Sequence, residues 1–324
     1  MRAHLRALAG ASGVISFRDF VAAALYAPEL GYYTHASCAR VGRDGRTDFY
    51  TSSSLRGGIF GRLLRATAEN LIKPAAPKDY SLMEIGAEPG AGVFGRDAGP
   101  FAQILIRPLG DNLTPPPHAV IFANEWLDAQ PFHRLAFRRG AWRELGVRVD
   151  GVELAEVELE QFSTAAEALA PTLPGVAPED YHLDISLEAE QVLRNLVSTP
   201  FAGAVILADY GYDWANLIHE RAAGTARAYY RHQVSGDLLD RPGEQDLTCH
   251  VCWDRLEMVL RASGFTEVKV ERQEAFFMRH AAEEVEKIIA ENPGPFSPAR
   301  QTLLELLHPA HLGGKFQMLT GCRK

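Results

Sequence analysis

Cysteine is scarce in this 324-residue chain: four residues, scattered at Cys38, Cys249, Cys252 and Cys322. Thiols so few and so spread cannot brace a chain of this length, which excludes a disulfide scaffold and points to a reducing, cytoplasmic compartment. Long apolar runs are missing too. A membrane helix needs roughly 18 consecutive apolar residues, and even residues 119–129 are broken by Asn124, Glu125 and Asp128. Positive charge is not concentrated anywhere: 33 basic against 41 acidic side chains leave a formal charge of −8. Without clustered Lys and Arg, a nucleic-acid backbone is excluded as partner, because that grip depends on displacing counterions. Nor does the chain contain Gly-x-Ser-x-Gly, a Walker loop or His-Glu-x-x-His, so hydrolase and kinase readings lack a nucleophile, a phosphate cradle or a metal pair. Cys249-His250-Val251-Cys252 stands without a second pair of ligands at suitable spacing, and no metal is expected there.

What is present describes a globular α/β chain. Apolar residues make up 47% and charged ones 23%, enough to bury a sizeable core in two domains or in one large domain with insertions. The N-terminus, with Arg2, His4 and Arg6 and no acid before Asp19, lacks the apolar core of a secretory signal and reads as a short lead-in to a helix. Ser16, with Asp19 three residues on, predicts a capped helix over 17–25. A polar loop follows from 31 to about 54. It is too long for a connector and carries Tyr32, Tyr33, Phe49 and Tyr50, which assigns it to a site. Ile59, Leu63, Leu64, Ala68, Leu71 and Ile72 then mark an amphipathic helix closed by Pro74.

Four apolar runs, 81–86, 101–107, 119–124 and 203–209, read as buried strands. The first, third and fourth end in Gly, Asn or Asp, the pattern of an open α/β sheet whose ligands bind outside the carboxyl ends of its strands. Residues 135–149 and 152–159 alternate as an antiparallel ribbon. Near the end, 252–262, 283–290 and 299–307 are predicted helices, 266–272 a strand and 315–322 an edge strand.

Chemistry concentrates at two strand ends. Glu84-Ile85-Gly86-Ala87-Glu88-Pro89-Gly90-Ala91-Gly92-Val93-Phe94-Gly95 is a strand running into a glycine-rich turn, where backbone can approach a ligand closely. Read as Gly90-x-Gly92-x-x-Gly95 it is a dinucleotide fingerprint, with Asp111 placed for a ribose; read as Glu84-x-Gly86 followed by Gly90 it is the first motif of S-adenosylmethionine-dependent methyltransferases; a turn without a ligand also fits. Asn124-Glu125-Trp126-Leu127-Asp128 follows another strand. Its carboxylates suit the planar donor fork of a guanidinium, or else they cap the next helix.

Several segments, taken in order, resemble one family, the MidA-like S-adenosylmethionine-dependent methyltransferases, which includes a mitochondrial complex I assembly arginine methyltransferase. Residues 17–25 and Pro28-Glu29-Leu30-Gly31-Tyr32-Tyr33 are similar to its helix and Gly-Tyr-Tyr signature. Asp48-Phe49-Tyr50-Thr51-Ser52, Phe60-Gly61, the turn at 84–92 and the Asn-Glu-x-x-Asp-Ala-x-Pro motif at 124–131 follow. Asp209-Tyr210-Gly211, Gly224-Thr225 with His232, and Pro242-Gly243 with Asp246, Thr248 and Val251 complete the likeness.

The resemblance implies an α/β class I methyltransferase fold: a mostly parallel, Rossmann-like seven-stranded sheet with an N-terminal helical and loop extension and inserted antiparallel elements. It implies an extension at 1–75 that contributes to the site and a methyltransferase domain at 76–324, with inserts at about 134–180 and 212–251. S-adenosylmethionine would lie on Glu84, Gly86, Gly90, Gly92 and Asn124. Asn124, Glu125 and Asp128 would be catalytic, and Tyr32, Tyr33, Asp209, His232, Asp246 and Thr248 would meet the substrate. The acceptor implied is an arginine of a protein partner, in the assembly factor a respiratory-complex subunit. The chain departs from the family at Glu88, at Ser53 and Ser54, in the shortened segment 93–123, and in lacking a clear ribose-binding acid after the second strand. Those departures define the alternative, a family member that binds or assembles without transferring methyl groups. A nicotinamide-dependent oxidoreductase using Gly90, Gly92 and Gly95 comes third.

Overall fold

A computed structural model of the protein describes residues 1–35, 58–87, 92–151 and 153–324. The chain divides into two compact units. One takes in Met1–Phe49, Leu127–Gln191 and Tyr212–Asp254, the other Tyr50–Trp126, Val192–Gly211 and Arg255–Lys324.

The second unit is built on an open sheet. Its strands are β1 (Ser81–Ile85), β2 (Gln103–Arg107), β3 (His118–Asn124), β4 (Ala202–Asp209), β5 (Thr266–Arg272) and β6 (Gln317–Arg323), in the spatial order β5-β6-β4-β3-β1-β2. β2, β1, β3 and β4 run parallel, while β6 is antiparallel to both β4 and β5. Every residue of β1 is buried, as are the central five of β3. Strands covered on both faces need such continuous apolar sequence, which is why these runs are readable without alternation. The helix Ile59–Leu71 adds Phe60, Leu63 and Leu64 to a core that includes Phe122, Ile206, Phe276, Phe277 and Met318.

The sheet corrects two expectations. It has six strands among the described residues where seven were expected. Residues 108–117, between β2 and β3, include Pro108, Pro115, Pro116 and Pro117, and prolines that lack the N–H group leave no room there for a further helix and strand. The strand expected at an edge over 315–322 is β6, which lies inside the sheet, bonded on both sides. Its Met318, Leu319 and Thr320 are buried accordingly. The helices Leu187–Ser198 and Gln273–His280 were not anticipated.

The first unit is antiparallel in character. Val14–Ser16, Ala141–Asp150, His133–Arg138 and Tyr181–Ile185 form one sheet in that order, and Glu153–Glu158 also pairs with Ala141–Asp150. A smaller sheet sets Arg227–Tyr230 between Gln233–Ser235 and Asp246–Thr248. The expected cap is present: Ser16 Oγ accepts the Asp19 N–H at 3.0 Å and starts the helix Phe17–Tyr26. The residues before it are not a mere lead-in, since Arg2–Ala9 is a helix of its own with Leu5 and Ala9 buried. No helix among the described residues is long and apolar enough to cross a membrane.

Candidate functional site

In the second unit the parallel strands deliver their ends to one edge of the sheet. β1 runs out into Gly86 at φ 75, a left-handed backbone that favours glycine. The Gly86 N–H donates to the Arg107 carbonyl at 2.9 Å, and a Cβ on Gly86 would meet Trp126 Cδ1 at 3.3 Å. Glu84, one of the buried residues of β1, accepts the Val93 N–H at 3.0 and 2.9 Å with its two carboxylate oxygens. Burial pushes its carboxyl up to about 7, opposed by the backbone N–H groups of Val93 and Phe94. Glu84 therefore fastens the returning turn to the strand. Gly92 lies so low over the sheet that a Cβ would stand 2.7 Å from Ile106 Cδ1 and 3.0 Å from Glu84 Oε2. Gly61, in the helix Ile59–Leu71, meets the Val93 carbonyl with similar closeness. Gly90 and Glu88 lie outside the described residues.

Asn124 ends β3. Its Nδ2 donates to Glu125 Oε1 at 2.7 Å, whereas its Oδ1 is buried with no hydrogen-bond partner among the described residues. Glu125 turns the chain away at φ 49, a conformation uncommon outside glycine, and its N–H is held by the Ala208 carbonyl at 2.9 Å. Asp209 ends β4, 1% exposed, and its Oδ1 accepts the Tyr210 N–H at 2.8 Å.

The first unit holds Asp128 and most of the expected substrate residues. The Tyr33 hydroxyl donates to Asp246, 3.0 Å from each carboxylate oxygen. Tyr26, which the sequence did not single out, stacks on Tyr33 with ring centres 5.5 Å apart and donates to the Ala129 carbonyl at 2.8 Å. Burial, and then the Asp246 carboxylate, pushes both hydroxyls above the usual tyrosine range, and Asp128 adds to the effect. Tyr32 is fully buried, edge-on to Tyr33. Thr248 lies half-buried opposite Arg227, and His232 is exposed on a turn at φ 63. The motif Gly224-Thr225 cradles Asp184, whose Oδ2 accepts the Thr225 and Ala226 N–H groups at 2.8 Å each while its Oδ1 pairs with Arg134 at 2.6 Å. A side chain at Gly224 would strike that carboxylate. His250 is held neutral: burial first, then the nearby Arg227 cation, lowers its pKa to about 4.

Asn124 and Glu125 are thus brought together at one strand end, and Tyr33 with Asp246 in the other unit. Two participants were missed. Tyr26 carries no signal beyond being the last residue of its helix, and Arg107 none beyond ending an apolar strand. The nicotinamide alternative loses its footing, because residues 92–102 contain no helix whose N-terminus would receive a pyrophosphate.

Parallel strands ending in a glycine turn, a buried acid and a buried amide are the pattern of an open α/β sheet, a class of protein whose ligands lie at the carboxyl ends of the strands. Residues 109–270 match the family described as "Putative S-adenosyl-L-methionine-dependent methyltransferase". The chain belongs to that family, and its cofactor is S-adenosylmethionine. It is similar to the Drosophila melanogaster protein arginine methyltransferase NDUFAF7 homolog, mitochondrial, with 24% identity over 97% of this chain and 83% of that protein. The Xenopus laevis protein arginine methyltransferase NDUFAF7, mitochondrial, is 24% identical over 74% of this chain and 65% of its own length. Among solved structures, a Burkholderia thailandensis protein bound to S-adenosyl-homocysteine superposes with TM-score 0.83 at 24% identity, covering 99% of this chain and 91% of that one.

Proposed function

We propose that the protein methylates an arginine of a protein partner, a respiratory-complex subunit by the family resemblance. The observation that carries this reading is Glu125, a carboxylate kinked off the end of β3 and bonded to Asn124, beside a buried acceptor left open. The relatives named protein arginine methyltransferases support it.

The residues fit the cofactor. Gly86 and Gly92 keep the sheet edge clear of side chains, and Asn124 Oδ1 is an acceptor suited to the cofactor's ammonium group. S-adenosylmethionine, when bound, supplies an electrophilic methyl on its sulfonium. Glu125 offers two oxygens to the planar donor fork of a guanidinium, and its carboxylate accepts the proton that the nitrogen loses as it gains a methyl. The remaining task is alignment of the nitrogen lone pair, which the enzyme meets by holding its substrate. Asp128, Tyr33 and Asp246 are the proposed substrate anchors of the first unit, with Tyr32 backing Tyr33. Residues 1–75 contribute through those tyrosines, and the scarcity of cysteine supports a reducing, cytoplasmic compartment.

The test is transfer of labelled methyl from S-adenosylmethionine to a protein acceptor, followed by amino-acid analysis. Wild type should yield methylarginine, and E125Q should lose roughly 100-fold in rate or more while binding S-adenosylhomocysteine as before. An unchanged rate in E125Q, or label on a residue other than arginine, overturns the proposal. Wild type that fails to bind S-adenosylhomocysteine at all returns the chain to the alternative of a binding or assembly protein.

A further inference from the structure

Two buried polar atoms of opposite hydrogen-bonding sense, neither with a partner among the described residues, lie at the same end of the sheet. Asn124 Oδ1, an acceptor at the end of β3, is one; Arg107 Nε, a donor at the end of β2, is the other. β1 with its Gly86 turn lies between them, and Arg107 is tied to that turn through its carbonyl, which accepts the Gly86 N–H at 2.9 Å. Two strand spacings put the two ends roughly 10 Å apart. Arg107 stands level with Ile85 and Ala123, one residue short of Asn124, so a ligand reaching both passes over the end of β1, its amino-acid end at Asn124 and its sugar end at Arg107.

Arg107 is unusual on its own terms. Its side chain makes no hydrogen bond or ion pair among the described residues. A guanidinium whose Nε is shut off from water without an acceptor is costly, and such a group calls for a partner that arrives from outside. In nucleoside-binding α/β sheets, the strand end beside the glycine turn carries an acid that accepts from ribose hydroxyls, or an arginine stands nearby where the sugar bears a 2′-phosphate. Here no acid stands at the end of β2. Arg107 is followed by Pro108, and Asp111 is exposed beyond them.

We propose that Arg107 reads the ribose edge of the cofactor by donating to its hydroxyl oxygens, and that its charge tilts the pocket toward the neutral product S-adenosylhomocysteine and away from cationic S-adenosylmethionine. The inference rests on the cofactor assignment. The sulfonium gives S-adenosylmethionine a net charge of plus one, which transfer of the methyl removes. A fixed guanidinium at the edge repels the first form and is indifferent to the second, so product competes well against donor and turnover depends on a downstream reaction that consumes S-adenosylhomocysteine.

Calorimetric titration of wild type, R107Q and R107E with both ligands tests this. R107Q removes the charge and the donor fork, and it should bind S-adenosylhomocysteine about tenfold more weakly, the loss expected for one charged hydrogen bond. The ratio of the S-adenosylmethionine Kd to the S-adenosylhomocysteine Kd should fall stepwise from Arg through Gln to Glu, by about tenfold across the series. Arg107 has no side-chain partner among the described residues to lose, so all three should share one unfolding midpoint without ligand, which separates the effect from misfolding. An equal ratio in the three proteins, or full affinity in R107Q, overturns the inference and leaves the cofactor assignment standing. Tighter binding of adenosine 2′-phosphate than of S-adenosylhomocysteine would assign Arg107 to a phosphate and overturn it as well. No binding of either ligand by wild type fails the cofactor assignment itself.

Discussion

The two units differ in how particular buried polar groups are satisfied. In the antiparallel unit each of several buried acids has protein partners: Glu144 takes His133 at 2.8 Å and the Ser163 N–H, Asp184 takes Arg134 and two backbone N–H groups, and Asp246 takes Tyr33. In the parallel unit the strand ends instead carry a donor and an acceptor, Arg107 Nε and Asn124 Oδ1, that no described residue satisfies. Those three acids of the first unit tie its own segments together. The second leaves these two open at the strand ends where we propose that the cofactor binds.

The largest test of this contrast is D184A. It strips Arg134 of one of its two carboxylates and leaves the Thr225 and Ala226 N–H groups buried without an acceptor, so urea unfolding should show a loss of about 3–5 kcal/mol. The matching change at an open strand end, R107Q, should cost almost nothing without ligand. Equal losses would erase the distinction between the units.

Acid and base should separate them next. Glu84 has a folded pKa raised to about 7, so the folded state binds the extra proton between its ordinary value and 7, and stability from this group falls as pH rises through that window. His250 has a folded pKa lowered to about 4, so the unfolded state binds the extra proton, and stability is lost as pH falls from the ordinary histidine value toward 4. Each contribution is about 3 kcal/mol by the size of the shift. Melting curves from pH 4 to 8 should therefore lose their downward limb above pH 5 in E84Q and their acid limb in H250Q. A profile unchanged by E84Q would show that the Val93 bond outweighs burial at Glu84.

Y33F is the mildest of these changes. It removes one donor from Asp246 and leaves the aromatic stack on Tyr26 intact, and should cost about 2 kcal/mol in thermal unfolding. No change at all would mean that Asp246 draws its support elsewhere.

Features set by neighbours in the chain were readable in the sequence. Ser16 and Asp19 announce a cap because capping involves residues three apart, and the apolar runs of β1, β3 and β4 announce buried strands because burial on both faces leaves no room for polar alternation. The glycine turn and the Asn124–Glu125 corner were legible for the same reason. What depends on distant partners was not. Tyr33 and Asp246 are 213 residues apart, and nothing local in either segment pairs them. The position of β6 inside the sheet follows from topology, not from its own composition. Arg107 was passed over because its significance lies in having no side-chain partner among the described residues, which a sequence does not display. The seventh strand failed for a plainer reason, a proline-rich connection too short to hold it.

The interior place of β6 bears on how the protein is made. Until residues 317–323 arrive, β4 has β3 on one side and a bare row of backbone donors and acceptors on the other, lined by buried apolar side chains. Arg323 then clamps the join, its guanidinium donating to the carbonyls of Val197, Thr199 and Phe201, the last of these 122 positions earlier. A sheet closed by so distant a segment forms slowly, and a half-built β4 edge is a ready template for another chain. Yield in refolding should therefore fall with protein concentration, and chaperone capture should be strongest for chains that stop short of β6.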